Sequence, residues 1–140
     1  MLIAWAVSCD SYELRDDGTA DIFGAGFDTH YVDELPTKVE VTILVRLLMQ
    51  EDEANEIELH VLGPDTGSLG SLSHPVEAEP GPNHRPGYIV AQIEALEVGF
   101  LAESEGVYSI EIYADAGKGQ AVSAERRQSI FLNVRAGSPE

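Results

Sequence analysis

The chain has 140 residues, of which 44% are hydrophobic, so it is long and apolar enough to form one domain with a buried core. Its 25 acidic residues outnumber 8 basic ones, and the net charge of −17 argues against binding to nucleic acid or to an anionic membrane. A single cysteine excludes an intramolecular disulfide, and no stretch reaches the roughly 18 apolar residues that a membrane helix requires.

The N-terminal part of the chain predicts a β-hairpin. Residues 2–9 form a continuous apolar run, which is typical of a strand covered on both faces. Residues 16–18 read Asp-Asp-Gly, a turn signal because Asp-Gly tolerates positive φ. Residues 19–27 are the predicted returning strand, with Gly24 and Gly26 at bulged or crowded positions.

Residues 6–9 (AVSC) also resemble the cleavage box of a bacterial lipoprotein. A signal peptide needs a basic segment and a longer apolar stretch before its cleavage site, and the first basic residue here is Arg15. We therefore predict a buried strand in which Cys9 is a small hydrophobe. Asp10 beside it would raise the pKa of the thiol, which opposes a role as a nucleophile.

The middle of the chain alternates between apolar and polar residues, as half-buried strands do. Within residues 38–47, every second residue from position 39 onward is apolar. Residues 56–61 repeat this pattern after an acidic turn at 51–55. Residues 63–67 (GPDTG) are a strong turn signal. Residues 67–87 are irregular, so we predict a long surface loop with one short strand at 76–79.

The C-terminal part of the chain predicts three more strands. They cover residues 88–94, 106–113 and 129–134, and a turn at 117–119 precedes the last one. Residues 96–105 could form a short helix, but Gly99 weakens it. We favour a connection whose apolar side chains are buried, namely Leu96, Val98 and Phe100.

About seven to eight strands with almost no amphipathic helix predict an all-β fold. We expect an antiparallel β-sandwich, immunoglobulin-like or related, with a small β-barrel as the alternative. A single domain should span residues 1–135, followed by a flexible tail at 136–140.

Several features in order resemble a family of short, functionally uncharacterised bacterial β-sandwich proteins. They are the polar step at residues 8–10, the long strand after Pro36, the segment 103–112 (ESEGVYSIEI) and the closing Asn133-Val134. The resemblance implies a sandwich fold and brings no activity, cofactor or catalytic residue with it.

Two metal sites can be considered from the residue types. Asp16, Asp17 and Asp21 could bind Ca²⁺ together with carboxylates from other loops, although helices and spacing of an EF-hand are missing. Such acidic loops would suit a calcium- or carbohydrate-binding sandwich. A metal-dependent hydrolase would instead use the histidines, but none has a recognised ligand spacing; they are His30, His60, His74 and His84.

We expect a non-enzymatic protein-interaction or scaffolding module, without a resident cofactor, in the cytoplasm. Its partner should be a basic protein, which its charge attracts, or a second copy of the chain. Tyr113 and Phe131 are predicted on outward faces of their strands, where they could form an exposed apolar interaction surface.

Overall fold

The computed structural model describes residues 1–26, 28–114 and 127–137, and these residues form β-strands without any helix. The strands in chain order are β1 (Leu2–Cys9), β2 (Ser11–Leu14), β3 (Ala20–Phe23), β4 (Thr29–Val32), β5 (Thr37–Met49), β6 (Ala54–Leu62), β7 (Ser68–Glu77), β8 (Val90–Ala102), β9 (Gly106–Ala114) and β10 (Arg127–Ala136). The predicted turn at 117–119 and the last three residues of the predicted tail lie outside the described ranges.

The strands pair as open sheets rather than one closed barrel. A three-stranded sheet has the order β1-β5-β8, and a five-stranded sheet has the order β4-β10-β9-β6-β7. Strands β2 and β3 form a separate hairpin. All these pairs are antiparallel except β4 with β10, which is parallel.

The two larger sheets share one hydrophobic core, and this makes the fold a β-sandwich. Alternate residues of β5 and β8 pack with alternate residues of β6, β9 and β10. The ring of Phe100 on β8 stacks on Tyr108 of β9, with centroids 5.1 Å apart. Since each fully buried aliphatic side chain contributes about 1.5–3 kcal/mol, this interior supplies the main stabilisation of the fold.

Tyr108 also closes the turn between β8 and β9. Its ring is 2% exposed, and its hydroxyl donates a hydrogen bond to the Ser104 carbonyl at 2.7 Å. A tyrosine that reaches back to the upstream backbone is typical of sandwich corners. The buried hydroxyl is therefore satisfied without opening the core.

Strand β5 confirms the alternation predicted from the sequence. Every second residue from Val39 to Leu47 is completely buried or nearly so. Leu44, which interrupts the polar face, is also fully buried, so part of the outer face of this sheet is covered as well. Strands β6, β9 and β10 likewise bury the faces that their sequences indicate.

The predicted loop at 67–87 needs correction, because residues 68–77 form strand β7. It pairs with β6 along most of its length. Pattern reading misses this strand because β7 is a sheet edge with nearly every side chain exposed, so it carries no apolar alternation. Pro75 also argues against a strand interior but is tolerated at an edge. Only residues 78–89 connect β7 to β8.

Residues 96–102 are also a strand rather than a connection. They continue β8, which pairs with β5 over its whole length. The predicted burial of Leu96, Val98 and Phe100 is confirmed. Gly99 is tolerated because it lies on the outer face of β8 opposite Glu40, where the Lys38 side chain approaches it.

Strand β1 is an edge strand, and its coverage is less complete than predicted. Leu2 and Ala4 are exposed, whereas Ser8 and Cys9 at its end are buried. The predicted returning strand at 19–27 is shorter in the structure, since β3 ends at Phe23. Gly26 then donates its N–H to the Ser8 carbonyl at 2.8 Å, which holds the hairpin against β1.

Candidate binding groove

The turn between β2 and β3 is held by its own side chains. Arg15 N–H bonds to the Thr19 carbonyl at 2.8 Å, and Gly18 takes the positive φ of 86° that the turn requires. Asp17 Oδ1 accepts hydrogen bonds from the Thr19 hydroxyl at 2.6 Å and from its backbone N–H at 3.0 Å. These two bonds, the hydroxyl first, hold the pKa of Asp17 below its usual value, so the carboxylate stays charged.

The loop at residues 78–89 faces this turn and is anchored to the β5–β6 turn. The Glu51 carboxylate accepts the Gly87 N–H at 3.1 Å and lies 3.1 Å from His84 Nε2. The Gly87 bond, followed by the His84 contact, lowers the pKa of Glu51. At the other end of the loop, Glu79 N–H donates to the Gln92 side chain at 2.9 Å.

An open groove of about 570 Å³ lies between the turn, the loop and the start of β8. We call it the acidic groove; residues 14–19, 79–84 and 89–93 line it. Leu14 and Ile89 are 46% and 57% exposed and give it apolar walls, together with the half-buried Ile93. Apolar surface with a few polar groups around it is typical of ligand sites.

The charge of the acidic groove is negative. Asp16, Asp17 and Glu79 contribute carboxylates to its lining. The Arg15 guanidinium is already paired with Asp21, at 2.5 Å from Nη2 to Oδ2, and His84 is already paired with Glu51. Both basic side chains of the lining are thus matched by acids, and the remaining carboxylates favour a cationic ligand.

The three aspartates predicted as calcium ligands lie on one hairpin but have different partners. Asp21 binds Arg15, and Asp17 binds Thr19. Asp16 is exposed on the same turn. Within the described part of the chain, no three His, Cys, Asp or Glu side chains converge in a way that could hold a metal ion.

The histidines lie in separate places. His30 is on β4, and His60 lies on the outer face of the five-stranded sheet, 3.3 Å from Glu58. His74 lies 3.4 Å from Glu94 of β8, and His84 belongs to the acidic groove. His74 and His84 thus have different acidic partners, although they are close in sequence.

Tyr113 and Phe131 share the outer face of the five-stranded sheet but are not direct neighbours. In the β9–β10 register Tyr113 is opposite Arg127, and Phe131 is opposite Ser109. A hydrogen bond from Ser129 to Glu111 lies between them. Phe131 is 61% exposed, whereas Tyr113 is partly covered by an edge-on contact with His60, at 5.6 Å between ring centroids.

Cys9 is 2% exposed at the end of β1. Burial, and to a lesser extent the neighbouring Asp10, raises the pKa of its thiol. A buried thiol that stays protonated is a poor nucleophile, which agrees with the structural role expected from the sequence.

Sequence reasoning missed the loop side of the acidic groove. Asp16 and Asp17 stand out as acidic turn residues, but Glu79 and Ile89 lie in predicted strands, at 76–79 and 88–94, that nothing in the sequence places next to this turn. Their contribution depends on the long-range contacts between Glu51 and the loop, and a single sequence contains no signal for those contacts.

In the described ranges, no helix has the length and apolar character needed to cross a membrane.

Comparison with known proteins gives a family for this chain. No curated protein and no solved structure matches the chain. A family model does match it over residues 4–123, which is most of its length. The chain therefore belongs to the family described as "Family of unknown function (DUF6941)".

Proposed function

We propose that the protein is a non-enzymatic binding module whose acidic groove holds a basic, extended segment of a protein partner. The observation that carries this proposal is that apolar walls lie beside the carboxylates of Asp16 and Glu79, while the basic side chains of the lining, Arg15 and His84, are paired with Asp21 and Glu51. An immunoglobulin-like strand arrangement, a bacterial source and a cytoplasmic location stay predictions.

The groove suits a segment that alternates arginine with aliphatic residues. Arginine would lie against Asp16 and Glu79 on opposite walls, since its planar guanidinium binds carboxylates with two hydrogen bonds. Aliphatic side chains would cover Leu14 and Ile89, which are exposed in the free protein. The overall charge of −17 would also speed the encounter with such a partner at low salt.

Fluorescence anisotropy with a short labelled peptide of alternating arginine and leucine tests the proposal. We expect binding that weakens as NaCl rises to about 0.5 M, because salt screens exposed charge pairs. A matched peptide with glutamine in place of arginine should bind much less.

The double variant Asp16→Asn with Glu79→Gln should weaken peptide binding by about 3- to 10-fold, as expected for losing two exposed ion pairs. The control is Asp33→Asn with Glu103→Gln, which removes the same charge from exposed positions outside the groove lining. Equal losses in both double variants would mean that only the net charge matters, and the groove would then not be the binding site.

A further inference from the structure

Strand β7 ends the five-stranded sheet, and one of its edges has no neighbouring strand among the residues that the structure describes. Its other edge pairs with β6, and side chains of strand β8 in the opposite sheet contact it near its C-terminal end. There, His74 lies 3.4 Å from Glu94, and Gln92 donates a hydrogen bond to the Glu77 carbonyl at 3.1 Å. Before His74, the residues of β7 have no strand partner on this side in the described ranges.

The free edge also belongs to the longest stretch of the sequence that contains no charged residue. Residues 66–76 contain no Asp, Glu, Lys or Arg, in a chain where 24% of residues are charged. Nearly all side chains of β7 are exposed. Natural proteins usually protect exposed sheet edges with charged residues, particularly lysine, and residues 68–76 of β7 contain none.

An apolar cleft lies beside the uncharged edge, in the open side of the sandwich. It encloses about 280 Å³, and its lining includes Leu59, Val98, Leu69 and Leu72, with Glu97 as its one acidic side chain. Leu69 and Leu72 are each 44% exposed. The edge thus offers backbone hydrogen-bonding groups and apolar surface together.

We propose that a second copy of this chain pairs its β7 antiparallel to this β7, which forms a two-fold symmetric dimer. A basic partner would be drawn to acidic surfaces, whereas two copies with a charge of −17 repel each other least where both are uncharged. The pairing extends the five-stranded sheet across the dimer, as in other cases of strand addition.

Two features limit the length of the paired segment. The register between β6 and β7 shifts at Val61 and Leu62, opposite the start of β7. Pro75 lacks an N–H, and the nitrogen of a proline in a sheet normally faces the free edge. Pro75 therefore ends the series of backbone N–H donors along that edge. Residues 70–74 between these points form the dimer contact, and their outward side chains include Ser71 and Ser73.

Analytical ultracentrifugation of the full chain tests the dimer. We expect a monomer–dimer equilibrium that shifts towards dimer as NaCl rises, because salt screens the repulsion between acidic copies. The double variant Ser71→Glu with Ser73→Glu should weaken the dimer at least about ten-fold, since it places like charges opposite each other across the strands. The control Ser11→Glu with Ser104→Glu adds the same charge at exposed positions elsewhere and should have little effect.

Amide hydrogen exchange of the wild-type protein gives a second readout that needs no variant. Exchange within residues 70–74 should slow as protein concentration rises. The proposal is overturned if the protein stays monomeric at high concentration and high salt, or if the dimer survives the β7 variant but not Phe131→Glu on the outer sheet face. None of these substitutions lies in the acidic groove. A loss of dimerisation can therefore be distinguished from a loss of peptide binding.

Discussion

At the scale of single residues, Gly24 shows how closely the hairpin approaches β1. Its φ is +64°, and a Cβ at this position would overlap the carboxylate of Asp10. Asp10 itself is fixed next to the hairpin, because its N–H donates to the Phe23 carbonyl at 3.0 Å. The sequence predicts a bulged or crowded position here, and the structure confirms the crowding and identifies the neighbour.

Gly24→Ala should therefore destabilise the protein more than Gly26→Ala. Both positions have positive φ, and the strain of an alanine there costs about 1 kcal/mol or more, but nothing lies within 4 Å of a Cβ at Gly26. We expect the Gly24 variant to lose about 1 kcal/mol more in the free energy of unfolding, measured by urea denaturation. Equal losses would show that Asp10 moves away without cost.

At the scale of elements, the loop at 78–89 depends on Glu51 rather than on its own sequence. Hydrogen bonds within the loop are few, such as His84 N–H to the Gly81 carbonyl at 3.0 Å. The Glu51 carboxylate instead binds the loop at both His84 and Gly87. One wall of the acidic groove thus depends on a side chain from another part of the chain.

The stabilising effect of Glu51 should disappear in acid. Because its pKa is lowered in the folded state, its contribution is complete above the usual glutamate pKa of about 4.3 and is lost as the pH falls through the folded value. Glu51→Gln should therefore lower the free energy of unfolding at neutral pH, with the difference from wild type shrinking below about pH 4.

Chemical denaturation at several pH values measures this difference. Glu103→Gln in the β8–β9 turn controls for the loss of one negative charge. A deficit of the Glu51 variant that is the same at pH 7 and pH 3 would contradict an ionic role for this carboxylate.

The strands differ in how well their sequences predict them, and burial explains the difference. Strand β5 is central in its sheet and faces the core, so its alternation is strong and its burial is predicted correctly. Strand β7 is an edge with exposed side chains, so its sequence carries no alternation of buried and exposed residues. Its pairing with β6, rather than its residue pattern, determines that β7 is a strand.

At the scale of the whole molecule, the net charge of −17 opposes folding, because the compact state brings like charges together. The ion pairs in the described ranges include exposed ones, such as Arg15 with Asp21 and Arg135 with Glu105. Exposed pairs of this kind contribute little to stability. Repulsion among the remaining carboxylates is therefore a global cost.

Salt should consequently stabilise the protein at neutral pH. Raising NaCl to about 1 M shortens the Debye length to about 3 Å, and we expect the melting temperature to rise by about 5 °C. Differential scanning calorimetry at pH 7 measures this shift. Near pH 4.3, where the composition of the chain predicts no net charge, the same salt addition should have a much smaller effect, and equal shifts at the two pH values would contradict a repulsive origin.

The candidate site was only partly predictable. The acidic turn at residues 16–18 and its negative charge follow from residue types, because Asp-Asp-Gly is a typical turn sequence. The opposite wall, formed by residues 79–84 and 89–93, does not follow from residue types. It lies near the turn because of sheet pairing and the contacts of Glu51. The predicted surface at Tyr113 and Phe131 shares one face but is divided by Ser129 and Glu111.

By itself, the sequence determined the all-β class, the inward faces of β5, β6, β9 and β10, and the acidic character of the surface. These properties depend on local alternation and on composition, which a single chain displays directly. Only the tertiary structure decided that β7 is the last strand of its sheet in the described ranges, beside an apolar cleft, and that the β2–β3 turn faces the 78–89 loop. Both arise from contacts between residues far apart in the chain, where no local preference contributes.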